Sequence, residues 1–362
     1  MARIIFTVTN DLSFDQRMQR IAGSLQLNGH KVTLIGRKRK QSIPLTNTPF
    51  HQVRLSCFWE KGPLFYIEFN IRLLLFLLSK STDYICAIDL DTILPCLTTS
   101  VIKKTKRVYD AHEYFTEQKE IIRRPGIQRV WKAIEQFAVP YFQQGYTVNT
   151  QLATLFREQY GVNYAVIRNI PIKYTLEQIE NQHIGNFIIY QGAVNEGRCF
   201  EQLIPAMKWV NAPLYIVGTG NFMEQVAELI HCYQLEHKVF LKGSLPPDQL
   251  RLLTRQATIG VTLFEPNGIN QYYSLANRFF DYMMAGIPQI CVNYPLYAEL
   301  NQQYGFAELI PDIHPLTIGE ALNKLLTNAV VYEQLRQNCL KAREVLHWEN
   351  EAGLLTQFYS NN

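Results

Sequence analysis

The sequence predicts an α/β protein built from two doubly wound parallel-sheet domains. Three observations carry this reading. At 362 residues the chain is too long for one ordinary core, and two domains are the natural division. Hydrophobic residues make up 47% of it, enough to fill two cores. Short apolar runs alternate with helical segments, first in one half and again in the other, which is the pattern of parallel strands with crossover helices.

Taken in order, residues 4–8 read as a strand and 14–27 as a helix that Asn28-Gly29-His30 stops. Residues 31–35 form the next strand. Apolar runs follow at 84–88, 107–109 and 146–148, each beside a helical segment. The first domain is expected to cover 1–170 and to end at Val166-Ile167-Arg168-Asn169-Ile170-Pro171. Residues 171–184 are polar and read as a linker. A second alternation, 185–340, begins with the strand at 187–191 and continues with strands at 214–217, 238–241, 259–263 and 289–292. The tail is helical from about residue 317 to 359, and 341–362 is expected as a C-terminal helix that crosses back to the first domain.

Met1-Ala2-Arg3 leads straight into the first strand, so no signal peptide is expected. The most apolar stretch, 64–78, contains Glu68, Asn70 and Arg72 and falls short of the roughly 20 residues needed to span a bilayer. It reads as a buried or interfacial helix, so any membrane contact is expected to be peripheral. Seven cysteines, at 57, 86, 96, 199, 232, 291 and 339, show neither CxxC nor metal-ligand spacing. They suit reduced thiols in a cytoplasmic protein, and no metal site is expected. The net charge of +4 is uneven: residues 1–170 hold 23 basic and 13 acidic side chains, the remainder 12 and 18. Such a basic first half suits an anionic partner or an anionic membrane surface.

The segment 272–288, YYSLANRFFDYMMAGIP, reads as a helix with both ends marked. Ser274 is the candidate N-cap, and Gly286 with Pro288 closes it. A loop feeding a helix N-terminus suits anions, because free N–H groups and the helix dipole point there. Asp281 lies four residues after Asn277, on the same helical face.

These segments together resemble the GT-B glycosyltransferases, family 4. The resemblance runs nearly end to end. It is carried by TNDLSFDQRMQRIAGSLQLNGHKVTLIGR, YDAHEYF, VIRNIP, YQGAVNEGRCFEQLIPAM, LYIVGTG, VFLKGSLP and SLANRFFDYMMAGIP, with Trp348-Glu349 in the tail. It implies two Rossmann-like domains facing a cleft, with a nucleotide-sugar donor on the second and the acceptor mainly on the first.

The resemblance also implies roles. Asp281 takes the position of a carboxylate that bonds the ribose. Tyr273 stands eight residues earlier, where the family usually has a glutamate. The backbone of Ser274, Leu275, Ala276 and Asn277 is expected to meet the donor diphosphate. Arg278 is read either as an outward-facing partner for that charge or as a surface residue. Gly192 lets backbone approach the donor, Arg198 occupies the position of a phosphate-binding lysine, and Ala193 replaces an arginine. Gly218-Thr219-Gly220 and Lys242-Gly243-Ser244 resemble loops near the nucleotide and base.

In the first domain His112 follows a strand at the position of an active-site histidine. Asp11 is assigned to the acceptor side. Asp15 and Arg17 form a DxR element that braces its turn. Asp89 and Asp91 are read as caps of a helix beginning near Thr92. Asp89-Leu90-Asp91 has the letters of a metal-binding DxD in the wrong surroundings.

The expected activity is transfer of a sugar from a nucleotide-diphosphate sugar to a glycan or lipid-linked acceptor, retaining and metal-independent. His112, Arg198 and Asp281 are the catalytic candidates. No cofactor and no nucleic-acid partner are expected. Arg37 to Lys40, and Arg123, Arg124 and Arg129 around Trp131, suit contact with an anionic membrane at its inner face. A nucleotide-sugar epimerase of the same fold, and a non-catalytic GT-B binding or partner subunit, are the alternative readings. The departures at Tyr273 and Ala193 keep the latter open.

Overall fold

In the computed structural model, described over residues 1–13, 15–175 and 185–361, the chain divides into two units. One is Met1–Asn169 together with the segment from Glu349 onward; the other is Ile170–Trp348. Phe14, the expected helix start, lies outside the described residues, as do 176–184 of the expected linker.

The first unit runs β1 (Arg3–Thr7), α1 (Gln16–Leu27), β2 (Lys31–Lys38), β3 (His51–Ser56), α2 (Gly62–Ser79), β4 (Tyr84–Ile88), α3 (Ile93–Lys103), β5 (Lys106–Ala111), α4 (Lys119–Ile122), α5 (Pro125–Ala138), β6 (Gln144–Thr147), α6 (Thr150–Tyr160) and β7 (Ala165–Val166). Its seven strands are all parallel, in the order β3-β2-β1-β4-β5-β6-β7. Central strands such as β4 are buried along their whole length, which explains their unbroken apolar sequence.

The second unit runs β8 (Ile188–Gln191), α7 (Phe200–Ala206), β9 (Leu214–Val217), α8 (Met223–Cys232), β10 (Val239–Gly243), α9 (Pro247–Gln256), β11 (Ile259–Thr262), α10 (Ile269–Tyr272), α11 (Asn277–Ala285), β12 (Gln289–Val292), α12 (Pro295–Tyr304), β13 (Ala307–Ile310), α13 (Pro315–Thr327) and α14 (Ala329–Ala342). Its six parallel strands follow the order β10-β9-β8-β11-β12-β13. Both sheets therefore reverse winding direction beside their first strand, between β1 and β4 and between β8 and β11. Ligands of open α/β sheets bind outside the carboxyl ends of strands at that point.

The last helix, α15 (Trp348–Asn361), completes the first unit. Tyr359 is 3% exposed, with its ring against Phe6, Tyr84 and Tyr146 from β1, β4 and β6. Glu351 accepts a hydrogen bond from the Arg168 N–H and pairs with its guanidinium at 3.2 Å.

Helix α2 covers the apolar stretch that the sequence marks out. At 18 residues it is long and apolar enough to cross a membrane by those two criteria alone. In the fold it buries one stripe, Phe65, Phe69, Leu73 and Leu77, which recurs every four residues as a packed helix face should. On the opposite face Leu64, Ile67, Ile71 and Leu75 are exposed.

Helix α11 corrects the expected cap. Ala276, not Ser274, is its N-cap residue, and no side chain caps it. The Ser274 hydroxyl instead donates to the Gln271 carbonyl at 2.9 Å, closing the short helix α10. At the other end Gly286 adopts φ +74°, and the Ile287 N–H returns to the Tyr282 carbonyl at 3.0 Å, the left-handed stop that glycine permits.

Candidate functional site

In the second unit three glycines meet at the strand tips. Gly192 follows β8 at φ +120° and its N–H donates to the Val217 carbonyl at 2.9 Å. Gly218 follows β9 at φ +147° and donates to the Gly243 carbonyl at 2.9 Å. A Cβ on Gly218 would lie 1.8 Å from the Gly192 oxygen, so only glycine fits. The side chain of Lys242 turns onto the Tyr215 ring, 4.3 Å from its centre.

Two guanidinium groups converge beside this floor. Arg198, half-buried, lies 4.5 Å from the centre of the Phe264 ring, and Arg278 lies 4.7 Å from the same centre. Arg278 is neither outward-facing nor a surface residue, as the sequence suggested; it is 7% exposed. Its guanidinium donates to the Tyr190 hydroxyl at 3.1 Å and to the carbonyls of Gln191 and Leu263 at 3.4 Å each. Among the described residues no carboxylate pairs with it, and its Nε is buried without a partner. A permanent charge held only by neutral oxygens and π faces keeps most of its field for an incoming anion. The position also places it where a Cβ on Gly192 would come, 3.3 Å from its Nη1. The sequence signal was present in the single cation of the helix, but its burial depends on Tyr190 and Phe264, far away in the chain.

Asp281 sits in the second turn of α11 and accepts from Gln191 Nε2 at 3.0 Å; Gln191 in turn accepts from Thr254 at 2.6 Å. Among the four amides expected at the diphosphate, those of Ser274 and Ala276 are engaged inside the unit. The Ser274 N–H donates to the Gln271 carbonyl at 3.3 Å and the Ala276 N–H to the Tyr297 hydroxyl at 3.0 Å. Leu275 is packed against the core, Asn277 opens the helix, and Tyr273 meets Tyr272 edge-on at 5.2 Å.

In the first unit His112 stands between two carboxylates. Its Nε2 is 3.1 Å from Asp110 Oδ2 and its Nδ1 is 3.6 Å from Asp89 Oδ2. Its backbone N–H donates to Asp89 Oδ1 at 2.9 Å. Asp110 is fully buried and pairs with Arg17 at 3.0 Å; Arg17 reaches on to the Ile167 carbonyl at 3.2 Å. Burial favours neutral imidazole, but Asp110 and Asp89 outweigh it and raise the His112 pKa to about 9. At neutral pH the ring is an imidazolium, a hydrogen-bond donor rather than a base. Burial pushes Asp89 up to about 7 and Asp91 up to about 6. Asp110, two residues before His112 and so on the same strand face, is a member of the cluster that the sequence reading passed over.

Two first-unit expectations change. Asp89 and Asp91 cap no helix: no side-chain cap bond forms at Leu90–Thr92 or at α3, and Asp91 accepts instead from the Thr9 hydroxyl. Arg17 does more than brace its own turn, because it is the counter-ion of Asp110, while Asp15 caps α1 through the Met18 N–H at 2.9 Å. Arg54 pairs with Asp11 at 2.7 Å, Ser13 donates to it at 2.6 Å, and Ser42 donates as well.

A cavity of about 990 Å³ opens beside His112. Thr9, Asp89, Asp91 and His112 line it, together with residues of α2 and α5. Among the described residues no three His, Cys, Asp or Glu side chains are grouped to hold a metal ion.

Residues 175–342 match the family described as glycosyl transferases group 1. The matched segment falls within the second unit. Over the whole chain, the fold of sucrose-phosphate synthase from Thermosynechococcus elongatus is similar, with a TM-score of 0.77 at 15% identity, covering 100% of this chain and 99% of that one. HepE of Anabaena, solved in complex with UDP and glucose, gives a TM-score of 0.77 at 13% identity over 100% of both chains. WaaG, a glycosyltransferase involved in lipopolysaccharide biosynthesis, gives 0.74 at 15% identity over 98% and 99%. No curated protein matches the sequence. The architecture is thus that of the GT-B glycosyltransferases, and the matched segment carries the glycine floor and both guanidiniums.

Proposed function

We propose that the protein transfers a sugar from a nucleotide-diphosphate sugar to a glycan or lipid-linked acceptor, with retention of anomeric configuration. The observation that carries this is the pair of guanidiniums on Phe264, one of them with no carboxylate partner among the described residues, beside the Gly192 backbone. The diphosphate lies against Arg198 and Arg278 near the start of α11, and Asp281 accepts from the ribose hydroxyls. Both guanidiniums and the helix dipole stabilise the departing diphosphate, the role a metal fills elsewhere. The glycosyl–oxygen bond breaks as the acceptor hydroxyl approaches from the same face, and the departing oxygen takes its proton. His112, as imidazolium, donates a hydrogen bond to the acceptor. HepE binds UDP and glucose by its structure's description, so a uridine nucleotide is the first donor to test. Basic side chains near α5 draw the first unit to an anionic membrane surface.

The test is nucleotide release from a panel of nucleotide sugars, with and without acceptors. Release that depends on an acceptor supports the proposal. A protein that binds UDP yet releases none from any donor, with every acceptor class supplied, is a binding subunit instead.

A further inference from the structure

The cavity beside His112 is larger and more apolar than a sugar ring requires. Its volume, about 990 Å³, is at the upper end of the roughly 300–1,000 Å³ typical of small-molecule sites. The lining is mostly apolar, with Asn70, Gln118, Glu120 and Arg124 the polar residues besides those around His112. Away from His112 the walls are Ile67 and Ile71 of α2 and Ile127, Val130 and Ile134 of α5. Trp131 joins the two helices, edge-on to Tyr66 at 5.3 Å and to Phe115 at 5.1 Å. Ile71 is 54% exposed and Val130 59%. Beyond the cavity the same α2 face continues through Leu64 and Leu75, both exposed. Contiguous exposed hydrocarbon that starts inside a site is what a hydrocarbon ligand covers. At the near end, the carboxylates of Asp89 and Asp91 and the imidazole of His112 suit hydroxyl groups. Arg124 lines the cavity and Arg129 lies exposed on α5, a charge that favours approach to an anionic bilayer where such a ligand would reside.

We propose that the acceptor is amphipathic: a polyol head lies against His112, Asp89 and Asp91, and its hydrocarbon tail runs between α2 and α5. This rests on the glycosyltransferase reading and narrows its acceptor to the lipid-linked class. The tail anchors the acceptor by area rather than by shape, so affinity follows chain length.

The experiment uses methyl, hexyl and octyl glucosides below their micellar concentrations, titrated calorimetrically into the full-length protein. Burying two more methylenes makes octyl glucoside bind roughly tenfold tighter than hexyl glucoside. Ile71→Asp and Val130→Asp, at exposed positions that leave the core intact, weaken octyl glucoside binding at least tenfold. UDP binding, measured on the same samples, reports the fold and the donor site. Equal affinity for hexyl and octyl glucoside overturns the proposal, as does undiminished octyl glucoside binding by both variants. Pelleting with phosphatidylglycerol vesicles without any binding of monomeric glucosides also overturns it, in favour of a flat membrane contact. Failure to bind UDP or to release it from a donor, with chain-length dependence intact, sinks the glycosyltransferase reading and leaves the groove assignment standing.

Discussion

Arg278 and Tyr190 hold each other in two ways at once. The guanidinium carbon is 4.5 Å from the centre of the tyrosine ring, and Nη1 donates to the hydroxyl at 3.1 Å. The same hydroxyl donates to the Ala193 carbonyl at 2.7 Å. One tyrosine therefore ties the buried cation to the loop after β8. The position that the family resemblance would give to an arginine is alanine, and the cation rises from below instead. This arrangement predicts that Arg278→Met lowers UDP affinity at least tenfold, read by calorimetry. Arg278→Lys restores little, because a point charge cannot stack on two rings and reach three oxygens.

Tyr190→Phe keeps the ring and removes the hydroxyl. It is expected to cost about 1.5–3 kcal/mol of stability, the range for a hydrogen bond to a charged group, measured by urea unfolding. An unchanged midpoint would show that water replaces the hydroxyl.

Gly218→Ala places a methyl 1.8 Å from the Gly192 oxygen at φ +147°. The second unit must distort, and a loss of more than ~2 kcal/mol is expected. Gly29→Ala is the control: φ is +85° but nothing lies within 4 Å, so only the left-handed backbone cost of roughly 1–2 kcal/mol applies.

The charge on His112 sets a pH window. Its folded pKa, about 9, lies above its ordinary 6.5. Its stabilising contribution is fully present below pH 6.5 and is lost as pH rises through 9. A shift of this size corresponds to about 3 kcal/mol. His112→Gln should flatten the fall in stability between pH 6.5 and 9. Burial raises Asp89 to about 7 from 3.8, so its ionisation removes stability between those values, and Asp89→Asn should flatten that lower part of the profile. Turnover should fall above pH 9 as the imidazolium loses its proton.

Asp281→Ala is expected to weaken nucleotide binding more than His112→Ala, while His112→Ala chiefly lowers kcat. Steady-state kinetics with a fixed acceptor separate the two. Small and equal effects would remove both assignments.

Much of the architecture was legible because parallel strands buried on both faces leave unbroken apolar runs, as Tyr84 to Ile88 do. The strands that escaped were at sheet edges. β3 is HQVRLS with no fully buried residue, β13 is four residues with two half-buried, and β7 is only two residues long. Local patterning cannot mark an edge strand whose partner decides its existence. The site was legible where chemistry sits on a turn, as at His112 and Gly192. It was illegible where a side chain's surroundings come from elsewhere. Arg278 owes its burial to Tyr190 and Phe264, and Asp11 pairs with Arg54 from β3, a strand that local patterning did not mark.

Tyr359 stands two residues from the end of the described chain, yet its ring lies against Phe6 near the beginning. During synthesis the first seven strands leave the ribosome long before the helix that covers them. The rings of Phe6, Tyr84 and Tyr146 must wait for Tyr359 while residues 170–348 are made. Nascent chains stalled before residue 349 should therefore bind chaperones and be cut within the first 169 residues, and a tag fused behind Asn362 should be judged by how far it delays that last closure.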